Sequence, residues 1–258
     1  MIFESHAHYD DEAFDEDREA LLGSLQEHEI GTVINVGASL ASCRSTMELA
    51  GKYPFIYAAI GVHPSDTAEL TEESIVWMEE LCRNPKVVAV GEIGLDYHWP
   101  DPSGDIQKRW FVEQLGMARR MHLPVIIHSR EAAKDTLDIM QGEKAEEIGG
   151  VIHCYSYTKE MAREYLQMGF YFGIGGVITF KNSRKLREAV EYIPVDRILL
   201  ETDSPYLSPE PYRGKRNSSL HLPYVAEAIA QIKGMTAQEI ITITENNAKA
   251  LFGLQGEE

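Results

Sequence analysis

Short runs rich in Val, Ile and Leu alternate with amphipathic segments from one end of the chain to the other. We predict eight strands, at residues 1–6, 32–36, 56–62, 87–93, 124–128, 150–154, 171–174 and 198–202. Most of these runs are continuously apolar, as strands are when both faces of a parallel sheet are covered. Strands that alternate with helices predict βαβ units. A count of eight favours closure into a TIM-like (β/α)8 barrel, an α/β fold, over an open sheet.

Helices are predicted between the strands, because apolar residues recur there three to four positions apart, as Trp110, Leu115 and Ala118 do. Their ranges are 18–28, 74–82, 106–121, 130–140, 159–168, 183–192, 223–232 and 237–252, the last opened by Thr236 as an N-cap. A length of 258 residues is typical of one such barrel, so we expect a single domain over 1–258. The longest irregular segment, 205–222, follows the last strand, where a barrel places a functional loop.

Composition excludes several classes of protein. The formal net charge of −17 argues against broad electrostatic adhesion to nucleic acid or anionic membranes. It leaves a phosphate-containing substrate possible, since a bound cation can reverse the field inside a pocket. The three cysteines have no C-x-x-C spacing, which argues against a disulfide framework. No signal peptide and no bilayer-long apolar run is visible. We therefore expect a cytoplasmic protein with no membrane partner, and we favour a monomer.

Histidines and carboxylates stand at or just after nearly all the predicted strand ends. They are His6 and His8 on the first strand, His63 after the third, Glu92 on the fourth, His128 on the fifth, His153 on the sixth and Asp203 after the eighth. Because the carboxyl ends of barrel strands meet at one mouth, we expect these side chains to converge. His6 and His8 are two residues apart on a strand, so both imidazoles point to the same face and can reach one ion.

Glu92 lies within an apolar strand, where an unpaired carboxylate costs several kcal/mol. One interpretation is a buried Glu paired with Arg or Lys. The other is a carboxylate that bridges two cations, a role that Asp96 could take instead. His128 and His153 suit a second metal site, and imidazole ligands favour Zn, Mn, Fe, Co or Ni over Ca. Strand alternation is expected to turn Cys154 to the opposite face, as a packing residue.

Asp203 is the candidate general base, because a metal-activated water needs a nearby carboxylate to accept its proton. The alternative is a turn cap before Pro205. His63, which precedes Pro64, either forms a turn or touches a substrate phosphate. The other candidate substrate-binding residues are Arg130, Lys181 and Arg213, whereas Arg216 is interpreted as a solvated loop residue.

At these residues the chain resembles the TatD family of metal-dependent deoxyribonucleases, within the amidohydrolase-like barrels. The resemblance covers nearly the whole chain. Its motifs are Ser5-His6-Ala7-His8, Gly61-Val62-His63-Pro64, Gly91-Glu92-Ile93-Gly94-Leu95-Asp96, Pro124-Val125-Ile126-Ile127-His128-Ser129-Arg130, His153-Cys154-Tyr155-Ser156 and Leu200-Glu201-Thr202-Asp203-Ser204-Pro205-Tyr206-Leu207.

The resemblance implies a barrel that binds two divalent cations, Mg, Mn or Zn. One cation would be held by His6, His8, Glu92 and Asp203, and the other by Glu92, His128 and His153. The catalytic residues would be Glu92 and Asp203. The chain departs from the family pattern at Glu4, where the family has Asp, at Tyr157, where it has Gly, and at Ser218-Ser219, where Glu-Pro usually follows Asn217. These departures concern the fit of the substrate.

Three functions remain open from the sequence. The resemblance implies a deoxyribonuclease that hydrolyses phosphodiester bonds at a strand end or in single-stranded DNA, with 3′–5′ exonuclease-like action. An alternative is a small-molecule amidohydrolase or esterase on the same binuclear centre, which should ignore DNA. A third is a non-catalytic binding protein that keeps a metal for stability, which should be inert towards both substrate classes.

Overall fold

The computed structural model describes residues 1–254. The last four residues of the predicted domain, 255–258, lie outside the described part. Within it, parallel strands follow one another around a single sheet in chain order. They are β1 (Ile2–Ala7), β2 (Ile30–Val36), β3 (Ile56–Ile60), β4 (Val87–Asp96), β5 (Val125–Arg130), β6 (Gly150–Ile152), β7 (Tyr171–Ile174) and β8 (Ile198–Leu200).

The sheet closes where the end of β1 meets the segment after β8. Ala7 forms a parallel bridge with Ser204. The amide of His8 donates to the carbonyl of Ser204 at 2.8 Å, and the amide of Asp203 donates to the carbonyl of His6 at 3.0 Å. The predicted TIM-like barrel is therefore confirmed, and its seam runs directly beside residues of the predicted site.

Helices connect the strands and cover the outside of the barrel. They are α1 (Arg18–Ser24), α2 (Leu40–Lys52), α3 (Glu72–Cys82), α4 (Gly104–Met121), α5 (Ala133–Gly142), α6 (Lys159–Gln167), α7 (Arg184–Tyr192), α8 (Leu222–Lys233) and α9 (Ala237–Leu251). Thr236 caps α9 as predicted, in a reciprocal capping box with Glu239. Among residues 1–254, every helix is too short or too polar to cross a lipid bilayer.

Helix α2 is absent from the sequence-based prediction. Its buried positions are Cys43, Thr46 and Ala50, which have helical spacing but small side chains. The apolar stripe that identifies an amphipathic helix is therefore weak. Packing against β3 and the N-cap Ser39, whose side chain accepts from Ser42, stabilise this helix instead.

Six strand ends differ from the prediction: β1 and β5 run one and two residues further, and β3 ends two residues earlier. β4 runs three residues further, to Asp96, because Gly94 and Asp96 stay paired with His128 and Arg130 of β5. β6 and β8 each end two residues earlier than predicted, since the chain leaves the sheet after Ile152 and Leu200. His153 therefore lies on a turn rather than on a strand, and Asp203 lies three residues beyond the end of β8.

The barrel interior is filled by a compact apolar cluster. Its members come from seven of the eight strands and from the C-terminal end of α9, so side chains from all around the ring meet inside it. The ring of Phe252 stacks on Phe3 at a centroid distance of 5.9 Å and closes the end opposite the mouth. Ile126 and Val151 belong to this cluster, and His128 and His153 follow each by two residues. The histidines therefore sit directly above the apolar core.

Asn247 provides a test of how α9 is held on the barrel. Its buried side chain donates to the carbonyls of Val195 and Ile198, both at 2.9 Å. Asn247→Ala leaves two carbonyls without their donor, and should lower the free energy of unfolding by about 1–3 kcal/mol. Urea unfolding measures this. Asn246→Ala, at the exposed neighbour, is the matched control and should change little. Equal effects of the two changes would contradict this account of α9.

Candidate metal centre

The six side chains that the sequence assigns to a metal site converge at the mouth of the barrel. They are His6, His8, Glu92, His128, His153 and Asp203. The Nε2 atoms of His6 and His8 are 3.0 Å apart, and the rings of His6 and His153 stack at a centroid distance of 3.5 Å. These residues come from five separate segments of the chain, and closure of the barrel brings the segments together at one mouth.

Glu92 lies at the middle of this group, and its two oxygens face different histidines. Oε2 is 3.5 Å from Nε2 of His6 and 3.7 Å from Nε2 of His8. Oε1 is 2.6 Å from Nδ1 of His128 and 3.7 Å from Nε2 of His153. One carboxylate thus joins two clusters of nitrogen ligands.

Asp203 closes the side of the group that faces the solvent. Its Oδ1 is 3.5 Å from Nε2 of His8 and 3.7 Å from Nε2 of both His6 and His153. Its side chain is 17% exposed, against 5% for Glu92. The backbone of Asp203 is left-handed, with φ 58°. Asp203 is therefore the more solvent-accessible of these two carboxylates.

Gly94 keeps β4 close to β5 beside the site. Its φ of +143° lies in the region that side chains rarely adopt. A Cβ there would also collide with the carbonyl oxygen of His128. The glycine therefore permits the tight pairing that sets Glu92 against His128.

Two acceptors behind the histidines fix the direction of their rings. Nδ1 of His8 donates to the carbonyl of Val36 at 2.8 Å, and Nδ1 of His153 pairs with Oε2 of Glu201 at 3.2 Å. Such partners leave Nε2 aimed at the centre, as in known metal sites. Glu201 also accepts the amide of Cys154 at 2.7 Å, so both its oxygens are engaged. No role was predicted for Glu201 from the sequence, although it lies two residues before Asp203.

The charge of the site is balanced by histidines alone. Within residues 1–254, the ion-pair partners of Glu92 are His6, His8, His128 and His153, so the interpretation of a Glu paired with Arg or Lys is wrong. Burial by itself would raise the pKa of Glu92, yet the neighbouring His153 and His128 hold that pKa well below its usual range. Burial would also raise the pKa of Asp203, but His153 and His8 lower it.

The pKa values of the histidines in the site are shifted in both directions. Against the effect of burial, Asp203 raises the pKa of His8 to about 9. Against burial again, the charges of Glu201, Glu92 and Asp203 raise the pKa of His153 to about 10. Burial and His153 lower the pKa of His6. Protonated imidazoles thus neutralise the carboxylates here, a function that a cation can replace.

The residues fit a divalent cation. The site contains four overlapping groups of three residues, and within each group the ligand atoms lie within 4.8 Å of one another; two of them are His6 with His8 and Asp203, and His63 with Glu92 and His128. Two ligand atoms that each lie about 2.0–2.2 Å from one ion are themselves roughly 3–3.5 Å apart. Most separations around Glu92 and Asp203 fall near that value. Nδ1 of His6 is also buried without a hydrogen-bond partner among the described residues. Imidazole and carboxylate donors suit transition-metal ions and Zn.

Asp96 and His63 flank the second cluster. Oδ2 of Asp96 is 3.1 Å from Nε2 of His128, on the side away from Glu92, so Asp96 lies behind a histidine and not between the two clusters. The ring of His63 meets His128 edge-on at a centroid distance of 4.3 Å. Its Nδ1 accepts the amide of Ser65 at 3.2 Å. Burial and His128 lower the pKa of His63 to about 4, so the ring is neutral at neutral pH.

The expectation that Cys154 faces away from the site is wrong. β6 ends at Ile152, and Cys154 takes a left-handed conformation with φ 46°. Strand alternation therefore does not extend to it. Its Sγ lies within 4.8 Å of ligand atoms of His153 and Asp203.

The basic residues expected to bind substrate occupy the rim. Arg130 is exposed at the end of β5, next to Asp96. Lys181 is exposed after β7 and lines a surface depression along α7. The guanidinium of Arg213 lies 4.2 Å from the ring centroid of Phe180, beside Lys181. Arg216 pairs with Asp17 at 2.6 Å, which is a structural contact away from the site.

Two of the departures from the family pattern touch each other. Oε2 of Glu4 accepts from Oγ of Ser219 at 2.9 Å and from Oγ1 of Thr202 at 2.7 Å. Burial raises the pKa of Glu4 to about 8. Asn217 donates to the carbonyls of Thr202 and Tyr206 and so fixes the loop after β8. The third departure, Tyr157, places its hydroxyl 3.0 Å from Oγ of Ser129.

Comparisons with known proteins agree with this geometry. The family model described as TatD related DNase matches residues 3–253. The chain is 46% identical to the uncharacterized metal-dependent hydrolase YabD of Bacillus subtilis, covering 98% of this chain and 99% of that protein. It is 33% identical to the 3′-5′ ssDNA/RNA exonuclease TatD of Escherichia fergusonii, covering 93% and 95%.

Among solved structures, the chain is similar to YJJV, a TatD homologue from Escherichia coli K12. The TM-score is 0.92 and the identity 30%, over 98% of both chains. The family match spans the barrel and all the residues of the mouth described above. The chain therefore belongs to the TatD family of metal-dependent hydrolases.

Proposed function

We propose that this hydrolase cleaves phosphodiester bonds of single-stranded DNA, and that it releases nucleotides from a 3′ end. The proposal rests on the position of Glu92, whose two oxygens face two different clusters of histidines. Such a carboxylate can hold two cations side by side, the arrangement used for in-line displacement at phosphorus. The name of the Escherichia fergusonii relative, an exonuclease on single-stranded DNA and RNA, supports the same substrate class.

One cation would be held by His6, His8, Glu92 and Asp203, and the other by Glu92, His128 and His153. When bound, two divalent cations supply Lewis acidity for a phosphoryl oxygen and a water of lowered pKa. We favour Zn or Mn over Mg, because four of the six ligands are imidazoles. Glu201, the Val36 carbonyl and Asp96 would orient His153, His8 and His128, respectively.

Asp203 would act as the general base. It is the more exposed of the two central carboxylates, and it lies beside ligands of both clusters. A water entering from the mouth meets this carboxylate before Glu92. Because the pKa of Asp203 is lowered against the effect of burial, chiefly by His153 and His8, the group is ionised and can accept a proton at neutral pH.

His63 would donate a hydrogen bond to the substrate phosphate. Its lowered pKa makes the ring neutral, and Nδ1 is already used as an acceptor for Ser65. The remaining proton of the neutral ring is then on Nε2. Arg130, Lys181 and Arg213 stand further out on the rim and would bind phosphates of neighbouring nucleotides. We expect a strand end, rather than an intact duplex, to enter the mouth.

The acidity of the chain favours a second candidate, a hydrolase of small esters or cyclic amides at the same centre. A net charge of −17 weakens the long-range attraction of a polyanion. A panel of lactones and cyclic amides, run beside the DNA assay, separates the two functions. Hydrolysis of the small substrates with no release of nucleotides would select the second candidate.

We also propose that the protein works in the cytoplasm, where thiols stay reduced. Its three cysteines, Cys43, Cys82 and Cys154, are free. Burial raises the pKa of both Cys43 and Cys82 to about 12, so these thiols are poor nucleophiles. The monomeric state stays a prediction.

Removing the shared carboxylate should abolish the reaction. Glu92→Ala takes a ligand from both clusters, so we expect release of nucleotides from a 3′-labelled single-stranded DNA to fall by more than about 100-fold, the upper range for loss of a merely supporting partner. The assay supplies Mg, Mn and Zn in turn to metal-stripped protein. Asp196→Asn, a carboxamide at the opposite end of the barrel, is the matched control and should keep full activity. Glu92→Ala protein that retains release with any of the ions would refute the bridging role.

Replacing the proposed base should separate chemistry from cation binding. Asp203→Asn keeps an oxygen ligand but cannot accept a proton, so kcat should fall by about 100- to 10,000-fold. Cation content, measured by elemental analysis after gel filtration, should stay close to that of the wild type. The acid limb of the pH–rate profile should also disappear. Full activity of the Asn variant with its cations bound would mean that another group is the base.

Protons should compete with the cations. Despite burial, nearby carboxylates raise the pKa of His8 to about 9 and that of His153 to about 10, so both rings are protonated at neutral pH before a cation binds. Cation affinity should therefore rise as the pH increases through about 9. Calorimetric titration in two buffers with different heats of ionisation measures the protons released. Heats that are the same in both buffers would contradict this assignment.

A further inference from the structure

Two large aromatic side chains are exposed beside the metal centre. Trp99 is 55% exposed and Tyr206 is 54% exposed. Each stands three residues beyond a carboxylate of the site, Trp99 after Asp96 and Tyr206 after Asp203. Aromatic rings bury large apolar areas when they find a partner, so two rings left open at the rim of a site indicate a surface for a ligand.

Trp99 is held in place on one side and open on the other. The ring of His98 meets it edge-on, with centroids 4.8 Å apart and planes at 82°. His98 is itself tied down, because its amide donates to Oδ1 of Asp96 at 2.9 Å and its Nδ1 lies 3.0 Å from Oε1 of Glu131. The indole is thus supported by residues that reach directly into the site.

Tyr206 is also fixed while its ring stays exposed. Its amide donates to the carbonyl of Asp203 at 2.8 Å, and its carbonyl accepts the side chain of Asn217. The hydroxyl donates to Oδ2 of Asp11 at 2.9 Å. The ring is therefore positioned before any ligand arrives, which lowers the entropic cost of binding.

The two rings belong to loops on opposite sides of the mouth. Trp99 follows β4 and Tyr206 follows β8, and these strands are four positions apart in the closed ring of eight. Glu92 lies on β4, and Asp203 follows β8. A chain that crosses the mouth from one of these loops to the other would pass one aromatic ring on each side of the proposed cations.

We propose that Trp99 and Tyr206 stack on bases of a single-stranded nucleic acid, one on each side of the bond that is cut. The inference rests on the proposed phosphodiesterase function and defines its substrate class. Bases of a single strand offer free faces to aromatic side chains, whereas those of a duplex are stacked on each other. Stacking is tolerant of sequence and does not require positive charge. It therefore suits a chain of net charge −17.

Binding to metal-stripped protein tests the proposal without cleavage. Trp99→Ala and Tyr206→Ala should each weaken binding of a fluorescein-labelled oligothymidylate by about 5- to 150-fold, the range for loss of one stacked base. Trp99→Phe keeps a ring and should lose less. Tyr192→Ala removes an aromatic side chain that is 47% exposed at the far end of α7, and should bind as the wild type does. Oligothymidylate should also quench tryptophan fluorescence in the wild type but not in Trp99→Phe, since Trp110 is buried and Trp77 lies half-buried under Arg44.

Oligothymidylates with a single abasic site, moved stepwise from the 3′ end, distinguish stacking from a structural role. At one position the abasic site should weaken wild-type binding as much as Trp99→Ala does, and the two changes together should cost no more than either alone. Losses that add, or variants that bind as tightly as the wild type, would overturn the proposal. If the metal-loaded wild type releases nucleotides while both alanine variants bind normally, stacking is wrong and the hydrolytic function stands. If Trp99 binds the oligomer but no ion supports release, stacking stands and the hydrolytic function fails.

Discussion

The carboxylate of Glu92 is buried in the mouth of a barrel, in a strand that is otherwise apolar. A carboxylate buried there without partners would cost several kcal/mol of folding free energy. Histidines from three other strand ends contact the carboxylate of Glu92 and offset this cost. The surrounding contacts preserve this arrangement. Gly94 lets β5 approach, and the Val36 carbonyl and Glu201 turn the imidazoles of His8 and His153 inward.

Closure of the barrel and assembly of the site use the same backbone contacts. The hydrogen bonds that join the end of β1 to the segment after β8 involve His6, His8, Asp203 and Ser204. Two of these residues are ligands of the proposed first cation on β1, and a third is the proposed base. The barrel therefore cannot open at this seam without separating the ligands.

Much of the site could be predicted from the sequence, because it depends on local rules. His6 and His8 share a face by strand alternation, and Glu92 is conspicuous as an acid among apolar residues. The prediction failed where the chain left regular structure. Cys154 was assigned by alternation to the opposite face, but β6 had already ended, and a left-handed backbone turned the thiol towards the site. Helix α2 was missed because its buried side chains are small.

The sequence by itself determined the eightfold alternation and the residue types at the strand ends, since both follow from short-range periodicity. Only the tertiary structure decided which oxygen of Glu92 faces which histidine and that Asp96 stands behind His128. It also decided that Trp99 and Tyr206 flank the same mouth. These relations join residues far apart in the chain. They depend on strand register and barrel closure, which local sequence patterns do not encode.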